Sequence, residues 1–268
     1  SVREFELKMA SLEEGEDCIA TSSGMAAIFA TFASLLAQGD HIMMSRAVFG
    51  STFRLTEDYL AKWGITYSYL DHRSTSEWQS QVKPETKLLY LETPTNPGLD
   101  IMDLRQISDF CRKNSILLVV DNCFATPYLQ KPLSLGADIV IHSATKYLDG
   151  QGRVMGGAII AGHEIISRIF PFMKNAGPSL SPFNAWVLSK SLETLAVRMD
   201  RHCENALKVA SWLESRPEVK EVRYPFLASH DGYDTARRQM KAGGGMVSFE
   251  LRGGMEAGKK MIDNRSMM

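Results

Sequence analysis

The chain has 268 residues, 30 Lys and Arg against 31 Asp and Glu, and a formal charge of −1, with 44% apolar and 23% charged residues. That length holds one large core or two unequal ones without disulfides or metal, and the balanced charge excludes the basic field that binds nucleic acid or anionic lipid non-specifically. The composition is that of a folded chain, and Cys18, Cys111, Cys123 and Cys203 lie scattered with no CxxC pair, so no zinc site, redox dithiol or secreted disulfide framework is expected.

Val2, Phe5, Met9 and Leu12 stand at helical spacing and predict a helix near the start of the sequence. The uncharged run between Asp17 and Asp40 carries three Ser, Thr, Gly and Gln, and reads as a buried helix from about Met25 rather than a membrane span. No apolar block in Ser1 to Leu12 suggests a signal peptide, so the cytoplasm is the expected compartment. HIMMS is a predicted strand, a helix is expected after Gly50, and ITYSYL is a second strand.

Three apolar runs follow: LLYLE to Glu92, ILLVVD to Asp121 and ADIVIHS to Ser143, the first two separated by the helical pattern MDLRQISDFCRKN. Short runs without alternation, joined through helices, predict an α/β fold whose mostly parallel sheet is buried on both faces by helices. After Gly177, PFNAWVLSKSLETLAVRMDRHCENALKVASWLE reads as one long connecting helix. KEVRYP, MVSFEL and GMEAGKKMID then form a smaller, incomplete α/β unit. The expected division is a large domain over 1–197 and a small C-terminal domain over 198–268. Gly243 to Gly245 lack a following GK[ST] and read as a tight turn, and the absence of GxGxxG after a strand disfavours a nicotinamide dehydrogenase.

Ligands of parallel sheets bind beyond the carboxyl ends of the strands. Glu92, Thr93, Asn96, Asp121, Asn122, Ser143, Thr145 and Lys146 are therefore expected at one crevice, against the plain alternative that strand ends are loops and loops are polar. TSSGMAAI, Thr21 to Ile28, opens a helix with small hydroxyl residues and a glycine, which makes either a phosphate site or a simple Ser23 cap. Ser143 and Thr145 beside Lys146 in HSATK offer a second hydroxyl pair. Lys146, following a strand end among buried neighbours, is expected to lose solvation, which favours the neutral amine that forms a Schiff base. A buried Asp121 needs a cation, and either an ion pair with Lys146 or a protonated pyridine nitrogen would supply it. An acid for the ring nitrogen, a lysine for the aldehyde and hydroxyl-rich elements for the phosphate are the three handles of pyridoxal phosphate.

SSGMAAI, ETPTNP, VVDNCFATPYLQKPLSLGADIVIHSATKYLDGQG and ETLAVRM run in this order between Val2 and about Met246. Together they resemble the pyridoxal phosphate enzymes of cysteine and methionine metabolism, the transsulfuration family of the aspartate aminotransferase-like fold, fold type I. Within it, DGQGRVMGG after the lysine and VFGST at Val48 to Thr52 look most like the O-succinylhomoserine sulfhydrylase branch; lyases and cystathionine synthases usually carry a GHSD-type sequence there. The resemblance implies pyridoxal 5'-phosphate and no metal. It implies a γ-replacement on an O-acylhomoserine with sulfide, giving homocysteine for methionine biosynthesis. Cystathionine γ-synthase, a γ-lyase of cystathionine or methionine, and a non-catalytic subunit that keeps the fold remain alternatives. Small-molecule substrates and a homotetramer built from dimers that share active sites are likewise implied.

Residue by residue, the resemblance makes Lys146 the Schiff-base lysine and proton shuttle and Asp121 the partner of the pyridine nitrogen. It gives Ser23, Gly24, Met25, Ser143 and Thr145 to the phosphate and sets Asn96 near the phenolic oxygen. Phe49 takes the place of a tyrosine stacked on the ring, so acid or base work there falls to Lys146 or water. Cys123 reads as a packed hydrophobe and His142 as a core residue. Relatives also carry a tyrosine and an arginine before the first helix, and a late serine and arginine for the substrate carboxylate. None of these is matched here, and Arg265 lies too early in the pattern to stand in. The expectation is a portion of a longer protein.

Overall fold

A computed structural model describes residues 2–71 and 74–264; Arg265 lies outside them. Seven strands, β1 (Asp17–Thr21), β2 (His41–Ser45), β3 (Thr66–Leu70), β4 (Thr86–Glu92), β5 (Leu117–Asp121), β6 (Ile139–Ser143) and β7 (Gly157–Ala161), form one sheet in the order β1-β7-β6-β5-β4-β2-β3. From β2 to β6 every pairing is parallel, while β7 runs antiparallel to both β6 and β1. The mostly parallel α/β sheet of the sequence reading is present, with an antiparallel insertion at one side.

Successive side chains of the central strands go to opposite faces. Tyr90, Val119 and Ile141 pack under α2 (Gly24–Leu35) and α6 (His163–Ala176), against Ile28, Phe32 and Ile169. Leu89, Leu91, Leu118, Val120 and Val140 face α4 (Leu104–Lys113) through Leu104, Ile107 and Cys111. Both faces are dry, which is why the three runs show no polar alternation. At the β1–β7 side, α1 (Val2–Glu13) buries Phe5 and Met9 against Ala20, Ile160 and Leu188. Asp103 caps α4 by accepting from the Gln106 amide at 3.1 Å, and Ser23 caps α2 by accepting from the Ala26 amide at 3.1 Å.

The long helix expected after Gly177 is two: α7 (Pro182–Leu192) and α8 (Leu195–Glu214), broken at Glu193 and Thr194. No glycine or proline marks the break, so the apolar period runs across it unbroken in the sequence. α8 also spans the expected boundary at 197/198. Its later half packs Ala206, Ala210 and Leu213 on Val219, Val222 and Tyr224, next to the antiparallel pair β8 (Val219–Arg223) and β9 (Ser248–Leu251). Among the described residues no helix is long and apolar enough to cross a membrane, and no cluster of His, Cys, Asp and Glu could hold a metal ion.

Candidate functional site

The carboxyl ends of β4, β5 and β6 lie side by side, and the register sets Glu92 against Asp121 and Asp121 against Ile141. Glu92 and Asp121 share the α2 face with Tyr90, Val119 and Ile141, and Ser143 follows Ile141 by one pleat on that same face. The start of α2 comes down directly on Ser143. A Cβ on Gly24 would stand 2.7 Å from Ser143 Cβ and 2.9 Å from its Cα, so only glycine permits this approach. As the first two residues of α2, Gly24 and Met25 have amides with no acceptor inside the helix, and no other backbone carbonyl among the described residues takes them. Ser143 is half-buried and its hydroxyl has no hydrogen-bond partner among the described residues, whereas Thr145 Oγ1 makes long contacts with the Gly156 backbone at 3.3 and 3.4 Å. The Ser23 hydroxyl is committed to its cap.

Asp121 is half-buried. Its Oδ1 accepts from the Cys123 amide at 2.9 Å and its Oδ2 from the Tyr90 hydroxyl at 3.3 Å. Burial pushes its pKa up, although the Cys123 amide, the neighbouring His142 and Tyr90 pull the other way. Glu92, buried beside it, is pushed up by burial first and by Asp121 second, while its Oε1 accepts from the Phe49 amide at 2.6 Å. Two carboxyls thus stand together with no cationic side chain paired to either among the described residues. The ion pair weighed between Lys146 and Asp121 is not formed.

Lys146 departs from the sequence reading in a second way. It sits on the turn after β6 and its side chain is exposed, not enclosed by buried neighbours, and no hydrogen bond or ion pair holds its amine among the described residues. The turn follows the carboxyl end of β6, an interior strand of the sheet, and the Lys146 charge acts on the nearby Cys123 thiol. Phe49, at the N-terminus of α3 (Gly50–Leu55), is 47% exposed on the same rim. Asn96 is half-buried in the loop after β4, with no hydrogen bond to its side-chain amide among the described residues. Cys123 is half-buried, its Sγ donating to the Ser143 carbonyl at 3.6 Å, and its thiol is raised by burial and by Asp121, against a nucleophilic role.

Thr93 and Asn122 do not face the crevice. Thr93 Oγ1 accepts from the Met102 amide at 3.1 Å. Asn122 lies one residue past Asp121, so the two-residue period sends it to the opposite face, where Nδ2 donates to Glu13 Oε1 at 2.9 Å and to the Gln130 carbonyl at 2.8 Å. His142 follows the same rule and meets Glu13 Oε1 through Nε2 at 2.5 Å, with both residues fully buried. Glu13 was not singled out in the sequence, yet Phe5, Met9 and Glu13 are spaced four apart, and an acid on that apolar stripe was the available signal. A cavity of about 800 Å³ lies beside β8, lined by Lys220, Arg223, His230 and Asp231 and by Asp100 and Ile101 from the segment after β4.

The family model for Cys/Met metabolism PLP-dependent enzymes matches residues 1–268. An O-succinylhomoserine sulfhydrylase of Pseudomonas aeruginosa is 46% identical over 268 residues, covering 100% of this chain and 66% of that protein. An L-methionine gamma-lyase of Fusobacterium nucleatum subsp. polymorphum is 45% identical over 263 residues, covering 97% and 67%. The crystal structure of metB from Corynebacterium glutamicum superposes with a TM-score of 0.93 at 44% identity, covering 96% of this chain and 67% of that one. That of a cystathionine gamma-lyase from Lactobacillus plantarum complexed with L-serine gives 0.90 at 39% identity, covering 92% and 65%. The chain spans about two thirds of the length of these relatives.

Proposed function

The chain belongs to the pyridoxal-phosphate-dependent enzymes of Cys/Met metabolism, and from that premise we propose that its protein performs γ-replacement on O-succinylhomoserine, a transferase reaction in which sulfide yields homocysteine and succinate. The residues at the crevice fit the cofactor of the family. Asp121, half-buried beside Glu92 without a cation, suits a protonated ring nitrogen; Lys146 has a free amine for an aldehyde; the Gly24 and Met25 amides and the Ser143 hydroxyl are unspent donors for a phosphate. When bound, pyridoxal phosphate supplies an electron-accepting ring that makes the α proton of an amino acid removable.

The other contributions are those of the chain. Asp121 holds the proton on the ring nitrogen, and a cation there relieves the burial that raises its pKa. Lys146 takes the proton from the substrate α carbon and returns it, its exposure at the turn leaving the amine free to swing between positions. Thr145 and Ser23 support the phosphate cradle, Asn96 stands at the loop after β4 for the phenolic oxygen, and Phe49 offers a ring face worth about 0.5–1.5 kcal/mol of stacking. Phe49 has no hydroxyl, so proton transfer at the α and β carbons falls on Lys146 or water.

The observation that carries the reading is the convergence of Gly24, Asp121, Ser143 and Lys146 on one sheet edge, within a chain of 46% identity to a sulfhydrylase. A γ-lyase is the second reading, favoured by the 45% identity to an L-methionine gamma-lyase. Supplying O-succinylhomoserine with and without sulfide and identifying the product separates them. Homocysteine formed only with sulfide supports replacement; cleavage of methionine or cystathionine without sulfide overturns it. We place the protein in the cytoplasm as a homotetramer, acting on small molecules and not on nucleic acid or membranes. Exposed Phe183 and Trp186 on α7 offer apolar surface for such an assembly.

A further inference from the structure

The ETLAVRM segment has no part in the reaction described above, yet it sets Arg198 in the first turn of α8, where the helix dipole disfavours a cation. The guanidinium is half-buried, and burial pulls its pKa below that of an ordinary arginine. Four oxygens hold it there: Nη1 donates to the Tyr147 carbonyl at 2.7 Å, Nη2 to the carbonyls of Ser191 at 3.0 Å and Leu148 at 3.4 Å, and Nε to the Thr194 hydroxyl at 3.2 Å. Two of these acceptors belong to the residues directly after Lys146. Gly150, at φ +74, runs against the same group, and a Cβ there would come within 2.1 Å of Nη1.

The far side of the loop is fixed as well. Asp149 is fully buried and accepts from the Arg153 amide at 2.7 Å and from its guanidinium at 2.9 and 3.1 Å. Burial pushes the Asp149 carboxyl up, but the Arg153 hydrogen bonds outweigh it and leave the pKa below the usual range. Lys146 itself has no side-chain partner among the described residues, so its backbone turn sets the point from which the amine reaches and the range over which it swings. The Ser191 carbonyl also accepts from the Thr194 amide at 3.2 Å, but the Tyr147 and Leu148 carbonyls have no other partner among the described residues, so a charged clamp at the wrong end of a helix has its reason in that turn.

We propose that Arg198 is a positioning residue for Lys146, holding the Tyr147 and Leu148 carbonyls so that the amine is presented to the cofactor aldehyde. The inference rests on Lys146 being the lysine that bonds to the cofactor, a step in which amine and aldehyde join with loss of one water. It is tested with Arg198→Gln and Arg198→Lys in the full chain, measuring affinity for pyridoxal 5'-phosphate and for pyridoxamine 5'-phosphate, which has the ring and phosphate but no aldehyde. Arg198→Gln is expected to weaken the aldehyde cofactor on the order of tenfold and leave the amine analogue within about twofold, with partial recovery in Arg198→Lys. Equal weakening of both ligands, or of neither, overturns the proposal, since a merely structural role does not distinguish them. Borohydride labelling of the unmodified chain away from Lys146 would instead refute the reading beneath it.

Discussion

Asp121→Asn separates the cost of this site in the folded chain from its use. The variant keeps both local hydrogen bonds: its carbonyl accepts from the Cys123 amide, 2.9 Å away in the parent, and its amide donates to the Tyr90 oxygen, at 3.3 Å. What it removes is a carboxyl whose pKa is raised by burial beside Glu92. An acid with a raised folded-state pKa takes stability away as pH climbs from its unfolded value through the folded one, and Asn has no such loss. Because Asp121 is half-buried, cofactor-free Asp121→Asn is expected to be more stable than the parent by on the order of 1 kcal/mol at pH 8, read from urea midpoints. The same change removes a charge-assisted hydrogen bond worth about 1.5–3 kcal/mol from the cofactor, so affinity should fall roughly 10- to 150-fold in a fluorescence titration. Opposite signs in the two assays are the expected result. Unchanged cofactor affinity, or a cofactor-free variant less stable than the parent, would refute the assignment of Asp121 to the ring nitrogen.

Gly24→Ala forces a Cβ to 2.7 Å from Ser143 Cβ; overpacking should cost about 1–3 kcal/mol in thermal or urea unfolding. It should also weaken pyridoxal phosphate by about tenfold while leaving phosphate-free pyridoxal unaffected, an outcome that tests the cradle separately from the ring. His41 is buried between the Thr86 and Ser68 hydroxyls, and burial, helped by Lys83, lowers its pKa to about 4. The unfolded chain therefore binds the extra proton between about pH 6.5 and 4, and moving from pH 7 to 5 should remove about 2 kcal/mol of stability that a His41→Asn variant does not lose. His142→Leu leaves the buried Glu13 carboxyl with the Asn122 amide as its one remaining hydrogen-bond partner among the described residues and should cost about 1.5–3 kcal/mol; a urea midpoint unchanged from the parent would contradict the pairing.

The parts legible in the sequence are those where one physical requirement writes a long pattern. β4, β5 and β6 are apolar throughout because both faces are covered, and their terminal Glu92, Asp121 and Ser143 follow as the edge of the crevice. β1 and β7 escaped because DCIAT and GAIIA are short and rich in small residues, and close approach rather than bulk defines them; a Cβ on Gly157 would strike the Ser23 carbonyl at 2.2 Å. Position at a strand end also says nothing about which way a side chain turns. Asp121 and Asn122 are neighbours in the chain yet serve opposite faces, and Asn122 is spent on Glu13 and Gln130. The exposure of Lys146 follows from the path of the turn, and the Arg198 clamp on that turn joins segments 51 residues apart, which no local pattern reports.

The central claim is that Lys146 carries the cofactor. Chain saturated with pyridoxal 5'-phosphate, reduced with borohydride and digested, should yield one modified peptide, with the pyridoxyl mass on Lys146 and none in a Lys146→Ala variant treated alike. A label on another lysine, or none on a cofactor-saturated chain, would contradict the account.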